Sequence, residues 1–305
     1  MPMFTGVVPP VVTPLNPDFT VDYDSFTRVL EHLIDAGVHG LFVLGSTSEV
    51  VFHDSETRQA ILEHAIKVNN GRVPVLVGTI DPTTDRVIRH SQIAKSAGAD
   101  AVVVTAPFYT RTNQAETVDH FRYIRDAVDL PVIAYDIPVC VGIKLERKTT
   151  VKLAQEGAIV GLKDSSGDDG NLRYVLADLQ DHPTFFGMTG SEIVVDSVLA
   201  MGAHGVVPGL ANVDPHGYVK LWNFVQAGDM AGARAEQERL CRLFEIVWIS
   251  TARTSAGSAG VGAFKTAMRQ RGIIANNTMA RPQRHLNEEE SGKVDAILES
   301  VGLLG

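Results

Sequence analysis

Ala36-Gly37-Val38-His39-Gly40-Leu41-Phe42-Val43 returns twice in altered form, as Ala97-Gly98-Ala99-Asp100-Ala101-Val102-Val103-Val104 and as Met201-Gly202-Ala203-His204-Gly205-Val206-Val207. In each copy a glycine stands where a helix must end on a left-handed residue, and an apolar run begins within a few positions. A repeated helix-to-strand turn of one type predicts βαβ units and a parallel sheet. Working outward, apolar runs occur at Gly6–Val12, Gly40–Leu44, Val73–Gly78, Ala101–Thr105, Pro131–Tyr135, Ala158–Leu162, Thr184–Met188 and His204–Pro208, eight in all. They are rich in Val and Ile without strict alternation, as parallel strands covered on both faces are. Helical patterns separate them, for example at Asp24–Ala36, Ser55–Val68, Thr84–Ser96 and Thr117–Ala127. Eight units fit either an open doubly wound sheet or a closed barrel. No G-x-G-x-x-G follows the first run, which weakens the dinucleotide-binding form of the open sheet. The expected fold is α/β, a (β/α)8 TIM barrel.

Further helical patterns near His216–Ala227, Met230–Val247, Val261–Arg271 and Glu288–Ser300 exceed what closing a barrel requires. They predict a C-terminal helical extension, with a catalytic barrel domain over residues 1–225 and the extension over residues 226–305. The 305 residues are 45% hydrophobic and 21% charged, ordinary for a globular protein. A net charge of −9 argues against nucleic-acid or anionic-membrane partners, which need a basic face. Two cysteines, Cys140 and Cys241, are too few for a disulfide framework, and the ten histidines lack metal-ligand spacing. No signal-peptide pattern opens the chain and no apolar run is long enough to span a bilayer, so a cytoplasmic enzyme is expected.

Barrel enzymes place reactive groups where strands end at the C-terminal rim. The sixth run ends in Gly161-Leu162-Lys163-Asp164-Ser165-Ser166, the fifth at Tyr135, and the second in Gly45-Ser46-Thr47-Ser48-Glu49. An ammonium at the inner end of a buried strand is costly unless paired, and the neutral amine is the form that attacks a carbonyl to make an imine. A lysine that snorkels outward or pairs with Asp164 is the alternative. Tyr135, one strand earlier, points to the same mouth as a phenol able to relay protons, or else serves as a hydrogen-bonded tyrosine at a strand end. Gly45-Ser46-Thr47 offers backbone amides and two hydroxyls suited to a carboxylate, although a plain strand-to-helix turn uses similar residues.

With these segments in order, the sequence resembles the dihydrodipicolinate synthase/N-acetylneuraminate lyase family over nearly its whole length. The resemblance runs from Gly6-Val7-Val8-Pro9-Pro10-Val11-Val12-Thr13-Pro14 through Gly45-Ser46-Thr47-Ser48-Glu49, Tyr135-x-x-Pro138-x-x-x-Gly142 and Gly161-x-Lys163-x-Ser165 to Gly202-Ala203-x-Gly205 and Ala211-Asn212-Val213. It implies that Lys163 forms a Schiff base with pyruvate or the 2-oxo group of the substrate, and that Tyr135 relays protons with help from Thr47. Ser46 and Thr47 would hold the carboxylate, and Tyr109 would reach across a tight dimer contact into the neighbouring site. The imine nitrogen would serve as the electron sink, so neither metal nor organic cofactor is expected. The partners implied are a small 2-oxo acid, an aldehyde and further copies of the chain, in a dimer of dimers.

Departures from the family pattern bear on the substrate. Dihydrodipicolinate synthases carry an arginine two residues after the strand-5 proline, for the carboxylate of aspartate semialdehyde; here that position is Cys140, which offers neither charge nor a two-pronged donor. Thr189-Gly190-Ser191-Glu192 lacks the aspartate that sialic-acid enzymes place before the glutamate, and Ser48 replaces a family glycine. The reading left is an aldolase or dehydratase of a 2-keto-3-deoxy sugar acid, with Cys140, Ser165, Ser191, Glu192 and Val207 among the substrate contacts. Two alternatives stand beside it. One is a synthase that binds its second carboxylate through Arg111 or Arg253; the other is a non-catalytic barrel that binds oxo acids.

Overall fold

The computed structural model of the chain describes residues 3–304. Strands and helices alternate from the start, with β1 (Gly6–Val7), α1 (Tyr23–Asp35), β2 (Leu41–Val43), α2 (Ser55–Asn69), β3 (Val75–Gly78), α3 (Thr84–Ala97), β4 (Ala101–Thr105) and α4 (Gln114–Ala127). Then come β5 (Val132–Asp136), α5 (Pro138–Val141), α6 (Arg147–Gln155), β6 (Gly161–Asp164), α7 (Asp169–Asp178), β7 (Phe186–Thr189), α8 (Val195–Ala200) and β8 (Gly205–Val206). Four helices follow among the described residues, namely α9 (Pro215–Gln226), α10 (Met230–Phe244), α11 (Ala256–Gln270) and α12 (Glu288–Ser300). No helix of the described residues is long and apolar enough to cross a membrane.

Every strand pairing is parallel, in the order β1-β8-β7-β6-β5-β4-β3-β2. The two ends of this order meet just past β1. Pro10 bridges Phe42, Val11 N–H donates to Phe42 O at 2.8 Å, and Phe42 N–H donates to Pro9 O at 2.9 Å. The sheet is therefore a ring, a (β/α)8 barrel of the TIM type. The glycines of the repeated turn have the left-handed φ their position demands, 82° at Gly37, 92° at Gly98 and 99° at Gly202.

Several sequence-based boundaries shift, each for a local reason. The first apolar run extends to Val12, yet only Gly6 and Val7 pair with β8. Pro9 and Pro10 have no N–H to give a second neighbour, and the chain passes from β8 to β2 at that point. The sixth run is centred too early, since Ala158 and Ile159 close the turn after α6 by donating to Leu153 O. That moves β6 forward and puts Lys163 inside the strand. The helix read from Thr117 starts at Gln114 because Asn113 and Glu116 form a capping box. The one read from Val261 starts at Ala256 behind the Ser255 cap.

A single buried side chain fastens the ring where it closes. Asn212, in the turn after β8, accepts from Val12 N–H at 3.0 Å and donates to Pro10 O and Gly209 O, both at 2.8 Å. It has no solvent exposure. Asn212→Ala leaves an amide and two carbonyls without this partner at the closure. Each buried group so orphaned costs about 1–3 kcal/mol, so urea unfolding is expected to show a loss of about 3 kcal/mol or more. A loss below about 1 kcal/mol would show that the closure does not depend on this side chain.

Candidate active site

Strands of a parallel barrel end at one rim, and pairing decides which side chains share it. Between β5 and β6 the register sets Tyr135 opposite Lys163 and Asp136 opposite Asp164. Alternation then sends Tyr135 and Lys163 to the barrel interior and both aspartates to the helix side. Lys163 is 5% exposed. Its Nζ lies 3.6 Å from the centre of the Tyr135 ring and 5.8 Å from that of Phe42, and donates to Ser165 Oγ at 2.9 Å. Among the described residues Lys163 forms no ion pair. Asp164 does not reach it; its Oδ1 accepts from Ser166 N–H at 2.8 Å and Ser166 Oγ at 2.7 Å. The outward-snorkelling and Asp164-paired alternatives for this lysine are thereby removed.

Neighbouring strands complete the mouth. A Cβ on Gly190, just past β7, would lie 2.0 Å from Ser165 Oγ and 3.2 Å from Lys163 Nζ, so a side chain here would displace the Ser165 hydroxyl from beside the amine. Ser191 N–H donates to Thr189 Oγ1 at 3.0 Å, and Glu192 Oε1 accepts from Gly209 N–H at 3.0 Å. Val207 is buried and lines the interior with Lys163, Phe42 and Met188. Cys140, in α5, is exposed; partial burial pushes its thiol up, and the nearby Lys163 charge opposes that. In the loop after β2, Ser46 is exposed and Thr47 half-buried. Tyr109 stands apart from this group, fully exposed with a φ of 60°.

Two further placements bear on a second carboxylate. Arg253 is engaged elsewhere, with Nε donating to Glu290 Oε1 and Nη2 to His285 O, both at 2.9 Å. Arg111 is exposed in the loop before α4. Among the described residues no cluster of three His, Cys, Asp or Glu side chains has the geometry to hold a metal ion. A surface cleft of about 920 Å³ lies between α3 and the start of β5, lined by Lys95, Arg125, Asp129 and Leu130. Pro131 in its wall marks the N-terminal end of β5, the opposite rim from Tyr135, and the cleft gathers no reactive group.

Sequence reasoning missed Lys144. Its ammonium bonds to Asp136, donates to Ser166 Oγ at 2.9 Å and lies 4.0 Å from Asp164. Asp136 Oδ1 also accepts from Leu145 N–H at 3.1 Å. Burial pushes the Asp136 carboxyl up and Lys144 opposes it. This cation thus ties together, from outside the wall, the residues that directly follow Tyr135 and Lys163. A signal existed in the sequence: an aspartate directly follows each of the two candidate residues, Tyr135 and Lys163, and two in-register outward carboxylates call for a cation.

The model of the Dihydrodipicolinate synthetase family matches residues 3–301. A 4-hydroxy-tetrahydrodipicolinate synthase of Methanoculleus marisnigri is 33% identical over 251 residues, which cover 82% of this chain and 86% of that one. A probable 2-dehydro-3-deoxy-D-pentonate aldolase of Escherichia coli is 31% identical over 306 residues, covering 100% of this chain and 99% of that one. Among solved structures, an Escherichia coli prophage protein of the dihydrodipicolinic acid synthase family, in complex with pyruvate, has a TM-score of 0.92 at 30% identity and covers 99% of each chain.

Glu192 is the mouth residue with the most displaced titration. The residue as a whole is part-exposed, but its carboxyl lies deep. Burial raises it to about 7, against the pull of Gly209 N–H and of Lys163. A carboxyl raised on folding adds its full share of stability only below its ordinary value near 4.5 and loses that share as pH rises through 7. Glu192→Gln removes this dependence and keeps an acceptor for Gly209. Melting curves from pH 4 to 8 are therefore expected to coincide at the acid end and to favour the variant by up to about 3 kcal/mol at pH 8. Parallel curves would show that Glu192 ionises normally.

Proposed function

The chain belongs to the dihydrodipicolinate synthetase family and is a class I aldolase/lyase of that family, and on this premise we propose that it cleaves a 2-keto-3-deoxy sugar acid to pyruvate and a hydroxyaldehyde through an imine on Lys163. One observation carries the reading: a primary amine at 5% exposure, free of any carboxylate partner among the described residues, against the ring of a tyrosine on the adjacent strand.

In this scheme Lys163 Nζ attacks C2, and loss of water leaves a protonated imine. Tyr135 carries the proton to the departing carbinolamine hydroxyl, and then takes the C4 hydroxyl proton as the C3–C4 bond breaks. The bonding pair moves into the imine to give an enamine, and the aldehyde departs. Protonation at C3 and hydrolysis release pyruvate and restore the amine. No metal or organic cofactor enters, because the imine nitrogen accepts the electrons. Ser46 and Thr47 hold the C1 carboxylate, with Thr47 orienting Tyr135. Ser165, Ser191 and Glu192 meet the hydroxyls of the distal half, between Cys140 and the wall at Val207. Tyr109 reaches into a neighbouring subunit of a dimer of dimers, in the cytoplasm.

Identity to a protein named a synthase favours a second reading, condensation of pyruvate with aspartate semialdehyde. The distal pocket argues against it. Cys140 supplies no cation, Arg253 is held by Glu290, and Glu192 would set a second carboxyl beside the first. A carboxylate buried without a partner loses hydration and gains little in return.

Treatment with pyruvate and borohydride is expected to add one pyruvate-derived mass per chain, mapped to Lys163 and absent in Lys163→Ala. A label on Lys144 or Lys265 would overturn the assignment. In condensations with pyruvate, hydroxyaldehydes such as glyceraldehyde are expected to exceed aspartate semialdehyde by roughly 10²-fold or more in kcat/KM, since an unpaired buried charge costs about 3–5 kcal/mol. Equal use of both aldehydes would favour the synthase reading and leave the Lys163 chemistry intact.

A further inference from the structure

The most deeply buried ion pair of the described residues lies outside the reaction scheme. Lys265, in the middle of α11, and Glu49, at the end of the loop after β2, have side-chain exposures of 0% and 1%. They form an ion pair across 216 residues of sequence. The other Glu49 oxygen, Oε1, accepts from Ala280 N–H at 2.7 Å, and Lys265 Nζ also donates to Thr278 O at 2.9 Å. Both polar ends are thus satisfied by the segment that follows β8. Burial pushes the Lys265 amine down, and Glu49 opposes that.

Such a pair adds little to stability on its own. Desolvating two ions offsets most of their attraction, and apolar residues of similar volume often serve as well. Its effect is to be sought in the geometry it fixes. Glu49 has a φ of 57° and Leu44 one of 59°, so the Gly45–Glu49 loop is bounded at each end by a left-handed residue that carries a bulky side chain. Such conformations persist only where surrounding contacts impose them. Between them the loop folds on itself, with Ser48 N–H donating to Gly45 O at 3.1 Å and Glu49 N–H to Ser46 O at 3.0 Å. One residue before Glu49, Ser48 Oγ accepts from Gly45 N–H at 3.2 Å and donates to Val11 O on β1's side. At its Glu49 end the fastening is the carboxylate held by Lys265 and Ala280.

We infer that Lys265 is a positioning residue, which acts through Glu49 to hold the Gly45–Glu49 loop in the shape that presents Ser46 and Thr47 to the substrate carboxylate. This rests on the proposed carboxylate role of that loop. α11 then reaches the reaction through a buried contact, without touching substrate.

Borohydride trapping at Lys163 tests this with two probes, pyruvate and acetaldehyde, which share the imine chemistry and differ in the carboxylate. In Lys265→Met the pyruvate concentration that gives half-maximal labelling is expected to rise roughly 10- to 100-fold, the scale of misplaced hydrogen bonds to a charged group. The acetaldehyde dependence, which feels the loop only through Thr47 and Tyr135, is expected to shift far less than the pyruvate dependence, and the final one label per chain is expected to stay unchanged. Should Lys265→Met fail to fold, Glu49→Gln provides the same reading, since it keeps the acceptor for Ala280 and removes the charge. A lower melting temperature with an unaltered pyruvate dependence would make the pair purely structural and overturn the inference. So would an equal loss for both probes. A wild-type chain that takes no pyruvate label would instead overturn the proposed function, and this inference with it.

Discussion

The register between β5 and β6 constrains everything at the mouth of this barrel. Hydrogen bonding of a parallel pair sets Tyr135 beside Lys163, and pleating sends both inward together. A slip of β6 by one residue against β5 would turn Asp164 into the apolar interior and the amine out among the helices, while Tyr135 kept its place. The barrel could not tolerate that, because a carboxylate buried there would lack any cation. The same hydrogen bonds that build the wall therefore select which side chains face the mouth together.

Charges on the two faces of this wall are managed differently. Outside, Lys144 pairs with Asp136, and the Ser166 hydroxyl and amide donate to one oxygen of Asp164, whose other oxygen lies 4.0 Å from Lys144. Inside, Lys163 has an aromatic face and one hydroxyl for company. With Lys144 drawn to the outer carboxylates, Lys163 is left as the amine without a carboxylate partner among the described residues. Gly190 extends the same arrangement to β7, because the volume that a methyl group would take beside that amine is held by the Ser165 hydroxyl.

How much of this was legible follows from the range of each interaction. The helix-to-strand turns at Gly37, Gly98 and Gly202 were readable because their chemistry is local, one left-handed residue followed by an apolar run. Strand ends were readable wherever they carried polar residues, which is why Lys163, Tyr135 and the Gly45–Glu49 loop could be named. Strand limits failed where the apolar run and the ladder part company, at Pro9-Pro10 and at Ala158-Ile159. Lys144 was hidden because its partners are defined by register between strands. Lys265 was hidden because its partner lies 216 residues away in a different element. Tyr109 was legible only through the family resemblance, and on the single chain it is fully exposed.

The closure held by Asn212 also has a consequence in time. It joins segments 200 residues apart, and the β1–β8 pairing spans nearly as much of the chain. Contacts so distant in sequence form against a large loss of chain freedom and belong to slow folding. During synthesis from the N-terminus, β1 meets β2 early, but its second neighbour does not exist until residues near Val206 have been made. The growing polypeptide therefore carries an unpaired parallel edge through most of its synthesis, open to pairing with other chains, and loses it only when the last strand arrives.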